Sequence, residues 1–390
     1  MNSDWVKATL GDFVRLQRGY DLPDSQRRGG HVPVIGSAGI TGYHDTARAK
    51  GPGVTLGRSG ASFGVVNYSP VDYWPHNAAL YVTDFQGNDE RFAYYLLKSL
   101  DFKNFNSGSA QQSLNRNFIY PIEISIPPLP IQHGIATVLS TYDDLIENNT
   151  RRIQILEEVA RRIYEEWFVR FRFPGHEKVG IVKSELGLIP DGWSVKSLDR
   201  VATINELSIR RGKEPTHILY VDIASVSTGK IDNVQEISFT EAPGRARRIV
   251  RHGDIIWSNV RPNRKSFALI INPPQNMVVS TGFTVISASS VPYSFLYHAL
   301  TTEDFASYLT NRAKGAAYPA VGSEDFANAK MIIPSSELVS TFDEMAEPMQ
   351  MEKNLLVKKN VILNRTRDLL LPKLISGEID VSNFSEPVSH

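Results

Sequence analysis

Serine, histidine, arginine and amide side chains stand in patterns that could do chemistry in this sequence, whose 390 residues include no cysteine. Cys-ligated zinc, thiolate nucleophiles and disulfides are thereby excluded. Gly60-Ala61-Ser62-Phe63-Gly64 has the spacing of a nucleophile elbow, in which a serine stands on a sharp turn from strand into helix. The adjoining residues, Val65-Val66-Asn67-Tyr68-Ser69-Pro70, read as a strand, so a glycine-rich hairpin or binding loop is expected and a hydrolase is rejected. The nine histidines (His31, His44, His76, His133, His176, His217, His252, His298 and His390) never fall within a helical turn of one another. Metal sites usually pair two ligands at short spacing, so no metal site is expected.

Asn272-Pro273-Pro274 matches the first three residues of the loop with which amino-methyltransferases grip a target base, but the aromatic expected next is Gln275. No glycine-rich cofactor loop accompanies it. A Pro-Pro turn is the expectation.

Binding groups are better represented. Between Arg245 and Lys265 stand seven cations and one acid, Asp254, in a chain whose 42 basic and 42 acidic residues otherwise cancel. Arg261, Asn263, Arg264 and Lys265 follow a strand-like run, where a loop could bring guanidinium and amide groups to DNA base edges and phosphates. A solvated basic face is the competing reading. Arg58, Ser59 and Ser62 lie on a Gly-flanked turn, and Gln111, Gln112, Ser113, Asn115 and Arg116 form a polar run before a long helix. Gln and Asn can pair bidentately with adenine and Arg with guanine, although the same run could simply cap that helix. Lys314 and Tyr318 occupy the matching place further on.

These candidates sit on a plan that occurs twice. Trp5 precedes Leu10-Gly11-Asp12-Phe13-Val14, and Trp193 precedes Leu198-Asp199-Arg200-Val201-Ala202. Ser107-Gly108-Ser109-Ala110 leads to Phe118 and Ile126-Pro127, as Lys314-Gly315-Ala316-Ala317 leads to Phe326 and Ile333-Pro334; each glycine precedes its proline by 19 positions. A repeat of this kind constrains architecture more than any single motif. Short β-type runs fill both modules: Val32 to Ile35, Val54 to Leu56, Phe63 to Tyr68 and Ala79 to Val82, then Ile218 to Val221, Asp254 to Trp257, Phe267 to Ile271 and Phe283 to Ile286. Helical patches from Arg91 to Leu100 and from Tyr293 to Leu309 interrupt them, which makes the class α+β.

After each proline comes a long helical pattern. Ile135, Leu139, Tyr142, Ile146, Asn149, Ile153, Leu156, Ala160, Ile163 and Trp167 alternate by four and three residues, a heptad seam. Asn149 is expected to fix register and orientation. Trp167, Phe168, Phe171 and Phe173 are expected to pack against the second module, the alternative being an exposed aromatic cluster that seats a partner subunit. In the second pattern Phe342, Met349, Leu356, Leu363 and Leu370 sit seven apart. Its companion column is weak, with Glu352 and Lys359 at apolar places, and Pro348 should kink or restart the helix. Antiparallel pairing of the two helices as a coiled coil would set the modules at opposite ends of a rod roughly 60 Å long. Modules so separated could reach DNA grooves one or two turns apart.

Hydrophobic content of 42% and charged content of 22% describe an ordinary globular chain. No signal-peptide pattern or membrane-length apolar run occurs, so a cytoplasmic protein without a membrane partner is expected.

Leu370-Leu371-Pro372-Lys373-Leu374-Ile375-Ser376-Gly377-Glu378-Ile379 and Gly187-Leu188-Ile189-Pro190-Asp191-Gly192-Trp193 resemble the specificity subunits of type I restriction-modification systems. Ile126-Pro127-Pro128-Leu129-Pro130-Ile131-Gln132 and Gly57-Arg58-Ser59-Gly60 support the resemblance, which covers essentially the whole chain. It implies a non-catalytic subunit with two target-recognition domains, each reading one part of a split, asymmetric double-stranded DNA site. The long helices would act as ruler and as platform for two methyltransferase subunits, with restriction subunits outside. S-adenosylmethionine would belong to the methyltransferase subunit and ATP with Mg²⁺ to the restriction subunit, leaving this chain without a cofactor. The polar column and Pro348 depart from straight, continuous helix packing.

The expected division is a first recognition domain at 1–128, a central helix and linker at 129–177, a second recognition domain at 178–334, a C-terminal helix and tail at 335–383, and a terminus at 384–390. Two rival readings stay open: a coiled-coil scaffold with no nucleic-acid role, and a self-sufficient methyltransferase or nuclease with its own recognition domain.

Overall fold

The computed structural model describes residues 4–108 and 112–382 and resolves into two compact units, one made of Met1–Asn149 with Lys359–His390, the other of Thr150–Lys358. The expected terminus at 384–390 lies outside the described residues. Helices and strands are mixed in both units, so the class is α+β.

The first unit contains β1 (Val6–Thr9), α1 (Leu10–Phe13), β2 (Arg15–Arg18), β3 (Val32–Gly36), β4 (Gly39–His44), β5 (Gly53–Gly57), β6 (Val66–Ser69), β7 (Trp74–Pro75), β8 (Ala79–Asp84), α2 (Glu90–Ser99), α3 (Arg116–Ile119) and β9 (Glu123–Ile126). β1 and β9 pair antiparallel and close the module, with Val6 opposite Ile126. Four strands form one sheet in the order β2-β8-β5-β6, and three form another, β4-β3-β7, in which β3 and β7 are parallel. Every residue of β5 is buried, which explains its unbroken Gly-Val-Thr-Leu-Gly run. Asp89 caps α2 by accepting from Phe92 N at 2.6 Å, and α2 turns Phe92, Leu96 and Leu97 inward.

Part of α4 (Leu129–Tyr164) completes this unit. Ile135 and Leu139 enter the same core as Phe13, Leu56 and Phe92, together with Leu371 and Leu374 of the second long helix. A fully buried Leu or Ile contributes about 1.5–3 kcal/mol, so these four side chains bind the helix segments to the module more strongly than any single polar contact. The segments run antiparallel: Asp143 receives Arg367, and Asn149 Nδ2 donates to Asn360 Oδ1 at 2.9 Å.

The second unit begins with the rest of α4 and goes on to a hairpin of β10 (Ile181–Ser184) and β11 (Gly187–Pro190). It continues with β12 (Ser194–Ser197), β13 (Ala202–Ile204), β14 (His217–Val221), the small ribbon β15 (Val226–Ser227) and β16 (Lys230–Ile231), β17 (Gln235–Ser238), β18 (Ala246–Ile249), β19 (Ile255–Ser258), β20 (Phe267–Leu269), β21 (Met277–Ser280) and β22 (Phe283–Ala288). Then come α5 (Tyr293–Leu300), α6 (Glu303–Arg312), α7 (Ser323–Ala327) and β23 (Lys330–Ile333), followed by α8 (Ser336–Ile375), the second long helix.

The repeat read from sequence is a repeat of topology. β12 and β23 close the second module as β1 and β9 close the first, with Ser194 opposite Ile333. The sheet order β13-β22-β19-β20 reproduces β2-β8-β5-β6, and the parallel pair β14 and β21 reproduces β3 and β7. The helical patch expected from Tyr293 to Leu309 is broken at Thr301 and Thr302. Thr302 Oγ1 accepts from Phe305 N at 3.2 Å, so it starts a new helix instead of continuing the old one.

Two expectations about the second long helix need correction. Pro348 does not restart it, since α8 runs unbroken from Ser336 to Ile375. Pro348 and Glu344, whose carbonyl loses its helical donor, are both exposed, so solvent can satisfy that carbonyl. Nor is the companion column at Glu352 and Lys359. Ala346, Lys353, Asn360, Arg367 and Leu374, again seven apart, are the positions turned inward. Polar residues are tolerated there because each has a partner: Lys353 meets Glu157, Asn360 meets Asn149, and Arg367 meets Asp143.

In the second unit Arg152 pairs with Glu352 at 2.8 Å, again antiparallel. Phe168, Phe173, Trp193, Phe295 and Phe342 form one aromatic core, with Trp167 and Phe171 packed against it. Of the proposed seam, Ile135, Leu139 and Asn149 are buried in the first unit, with Tyr142, Ile146, Leu363 and Leu370 partly so. In the second unit Leu356 and Phe342 are buried and Ile153, Leu156, Ile163, Trp167 and Met349 partly buried. Among the described residues no helix is long and apolar enough to cross a membrane.

Candidate nucleic-acid interface

In the first module the chain leaves β5 at Gly57 and folds back tightly. Gly57 N donates to Val65 O at 2.7 Å, and Gly64 N donates to Gly57 O at 2.8 Å. A Cβ at Gly57 would stand 2.1 Å from Ser62 O, so only glycine allows this turn. Ser62 ends a single 3₁₀ turn, Gly60–Ser62, which leads into β6 and not into a helix. The nucleophile-elbow geometry is therefore missing.

This turn is stitched to the polar run before α3. Leu114 N donates to Arg58 O at 2.7 Å, Gly60 N donates to Gln112 O at 3.2 Å, and Ser59 bridges Ser113. A cleft of about 780 Å³ results, whose lining includes Arg58, Asn115 and Arg116 among the expected residues. Ser59, Ser62 and Gln112 lie beside it, and Gln111 falls outside the described residues. Gln17, Arg18, Tyr20 and Asp21 also line it, and sequence spacing does not point to them. Nothing in their spacing signals a meeting with Arg58, forty positions away.

Some of these groups are also tied to the scaffold. Asn115 Oδ1 accepts from Asn117 N at 3.0 Å, the helix-capping alternative, and Arg116 Nη1 donates to Leu16 O at 2.7 Å. Arg58 Nε donates to Asn77 O at 3.3 Å. Among the described residues Arg18, Arg58 and Arg116 have no carboxylate within ion-pair distance. Burial, and secondly the charge of Arg18, push the Arg58 pKa below the usual guanidinium range. The only carboxylate in the wall, Asp21, accepts the Asn77 amide. The cleft is electropositive.

In the second module the corresponding loop follows β19. Val321 N donates to Asn259 O at 2.9 Å, the counterpart of the Leu114 bond to Arg58, and Arg261 N donates to Pro319 O at 2.7 Å. Arg261 and Lys265 both have φ of +52°, left-handed conformations around the turn Pro262–Arg264. For non-glycine residues this costs on the order of 1–3 kcal/mol each and tends to mark function. The Arg261 guanidinium lies 4.7 Å from the centroid of the Tyr318 ring, which is 70% exposed. Arg245, Arg261, Arg264, Asp222 and Tyr318 help to line a cleft of about 350 Å³. Asn263 and Lys314 are exposed nearby in sequence but lie outside its wall.

The basic stretch is less concentrated than its count suggests. Arg247 packs 4.7 Å from the Phe239 ring centroid, Arg248 donates to Asn205 O, Arg251 pairs with Glu206 at 2.6 Å, and Lys265 is held by Glu303. Arg245, Arg261 and Arg264 remain directed to the cleft. Asp254 is buried, accepts from Ser287 Oγ at 2.6 Å, and has its carboxyl pKa raised by that burial. Asn272-Pro273-Pro274 is a turn in which Met277 N donates to Pro274 O at 3.0 Å.

A family model described as the type I restriction modification DNA specificity domain matches residues 2–158. The type I restriction enzyme MjaIX specificity subunit of Methanocaldococcus jannaschii is 26% identical over 307 residues, 75% of this chain and 70% of its own length. The MjaVIII specificity subunit of the same organism is 24% identical over 311 residues, 76% of this chain and 72% of its own. A crystal structure of a type I restriction-modification S subunit from M. genitalium shares the fold, with a TM-score of 0.66 and 17% identity over 96% of both chains. The twofold topology, the family model and the relatives converge: residues 2–158 match the type I restriction modification DNA specificity domain, and the chain as a whole is similar to type I restriction enzyme specificity subunits.

Proposed function

We propose that this chain is the non-catalytic, sequence-reading subunit of a type I restriction-modification enzyme, each module reading one half of a split DNA target. The observation that carries this reading is that two modules of the same strand order each place an arginine-lined cleft beside the same loop, after β5 in one and β19 in the other. Arginine and amide groups suit both phosphate contact and base readout. Because the linings differ, the two half-sites differ in sequence, and the target is asymmetric.

The long helices serve as spacer and as docking platform for two methyltransferase subunits. In the first unit Val361, Ile362 and Leu369 are each at least 60% exposed, and in the second Ile155 and Leu355 are 55% and 45% exposed. Exposed apolar groups in that number on helices mark surfaces that a protein partner covers. Restriction subunits join outside these. S-adenosylmethionine resides in the methyltransferase subunit and ATP with Mg²⁺ in the restriction subunit.

Footprinting of the complex reconstituted with its methyltransferase subunits tests the reading. Two separated patches of protection are expected on target DNA. Replacing Arg245, Arg261 and Arg264 by Gln should abolish one patch and leave the other. A single continuous patch, or loss of both together, would contradict it.

A further inference from the structure

We infer that Arg18 and Arg58 form a two-guanidinium seat for one DNA backbone phosphate, and that the equivalent positions of the second module do not repeat it. The inference rests on the DNA-reading role proposed above. It adds a ligand group, a residue outside the expected set, and a chemical difference between the modules.

β2 and β5 both pair antiparallel with β8, on its two sides, so they run in the same direction and end at the same edge of the sheet. Arg18 is the last residue of β2 and lies opposite Leu80, while Arg58 is the first residue beyond Gly57, which lies opposite Ala79. The two arginine backbones are therefore two strand spacings apart across the sheet and two residues apart along it, roughly 12 Å. Long side chains from both sides can meet over Leu80, which lines the cleft between them. Arg58 uses Nε on Asn77 O, which leaves its terminal amino groups for a ligand. Two like charges held together with no carboxylate partner repel each other, and an anion between them removes that penalty. Burial and the neighbouring Arg18 charge already press the Arg58 pKa downward. A phosphate oxygen pair matches the guanidinium fork.

Strand register shows what the second module holds instead. Ser258 lies opposite Phe283 as Gly57 lies opposite Ala79, and Ile204 opposite Ile286 as Leu16 lies opposite Val82. Counting on from these pairs makes Asn259 the counterpart of Arg58 and Glu206 the counterpart of Arg18 in sequence, although β13 ends at Ile204 and the chain turns away at Asn205, whose φ is +55°. Glu206 is bound to Arg251, and Asn259 Oδ1 accepts from Thr284 Oγ1 at 2.7 Å. A carboxylate and an amide already engaged cannot seat an anion.

The test is the salt dependence of binding of the full chain to a random-sequence duplex. Each phosphate neutralised contributes about 0.9 to the slope of log K against log salt. Arg18→Gln and Arg58→Gln should each lower the slope by well under that amount, because the other arginine still neutralises the phosphate. The double variant should lower it by about 0.9, and Arg58→Lys should restore most of the Arg58→Gln loss. Melting curves should show every variant folded at the temperature of the assay, so that a changed slope reports binding and not unfolding. An unchanged slope in the double variant overturns the seat. Two additive losses of the full amount overturn sharing. A change in sequence preference with no uniform loss assigns the arginines to base reading and also overturns it. Stabilisation by inorganic phosphate that requires Arg18, with the DNA slope unchanged, would assign the seat to a free anion. If the parent chain shows no salt-dependent DNA binding, the DNA-reading role fails and takes the seat with it.

Discussion

Asn149 Nδ2 donates to Asn360 Oδ1 at 2.9 Å inside the first unit, and Asn360 Nδ2 reaches Ile146 O at 3.3 Å. Asn149 is 8% exposed and Asn360 half-buried, so removing either amide leaves the other short of a partner where water has little access. Asn149→Leu should cost about 1–3 kcal/mol. Asn149→Leu with Asn360→Leu should recover most of that loss, because two apolar groups facing each other leave nothing unsatisfied. Urea unfolding of the four proteins in a double-mutant cycle measures it, and equal losses that add would contradict the pairing.

His298 gives the second unit a pH dependence with a definite sign. It is 6% exposed, lies 3.4 Å from Gln350, and burial lowers its pKa from 6.5 to about 3. Between those values the unfolded chain binds a proton that the folded unit refuses, so stability falls as pH drops below 6.5 and is unaffected above it. From pH 7 to pH 5 the loss is about 2 kcal/mol. His298→Gln has no proton to take up, and its stability should be flatter by that amount over the same range. A parallel curve would show that other groups dominate.

Gly57→Ala places a Cβ 2.1 Å from Ser62 O. The loop must open, at a cost of about 1–3 kcal/mol. Because the same loop carries Arg58, both thermal stability and DNA affinity should fall together. Affinity lost without stability would mean that the turn is not braced by this contact.

Much of this was readable from sequence and some was not, for identifiable reasons. The seam from Ile135 to Ala160 was legible because apolar residues at heptad spacing have few alternatives to burial. The inward column of α8 was misplaced because Lys353, Asn360 and Arg367 look like surface residues. Their partners, Glu157, Asn149 and Asp143, are about two hundred positions away in sequence. The basic stretch was over-counted for the same reason, since Glu206, Phe239 and Glu303 neutralise or cover three of its members from distant segments, and Asn205 O engages a fourth, Arg248. Arg18 was invisible because only strand register brings it beside Arg58.

Tyr318 separates binding from folding. Its ring is 70% exposed and holds the Arg261 guanidinium at 4.7 Å from its centroid. Tyr318→Ala should leave stability within about 0.5 kcal/mol of the parent. DNA affinity of the assembled complex should nonetheless fall, through freedom regained by Arg261. Calorimetric unfolding beside a binding isotherm distinguishes this from a tyrosine that merely props the loop.

Methylome sequencing of cells carrying this chain with its methyltransferase subunit addresses the central claim most directly. A split, asymmetric adenine-methylated motif should be present. It should disappear when Arg245, Arg261 and Arg264 are changed to Gln, and persist when Lys265, already committed to Glu303, is changed alone. No motif with the unaltered chain, or an unaltered motif after the triple change, would contradict the account.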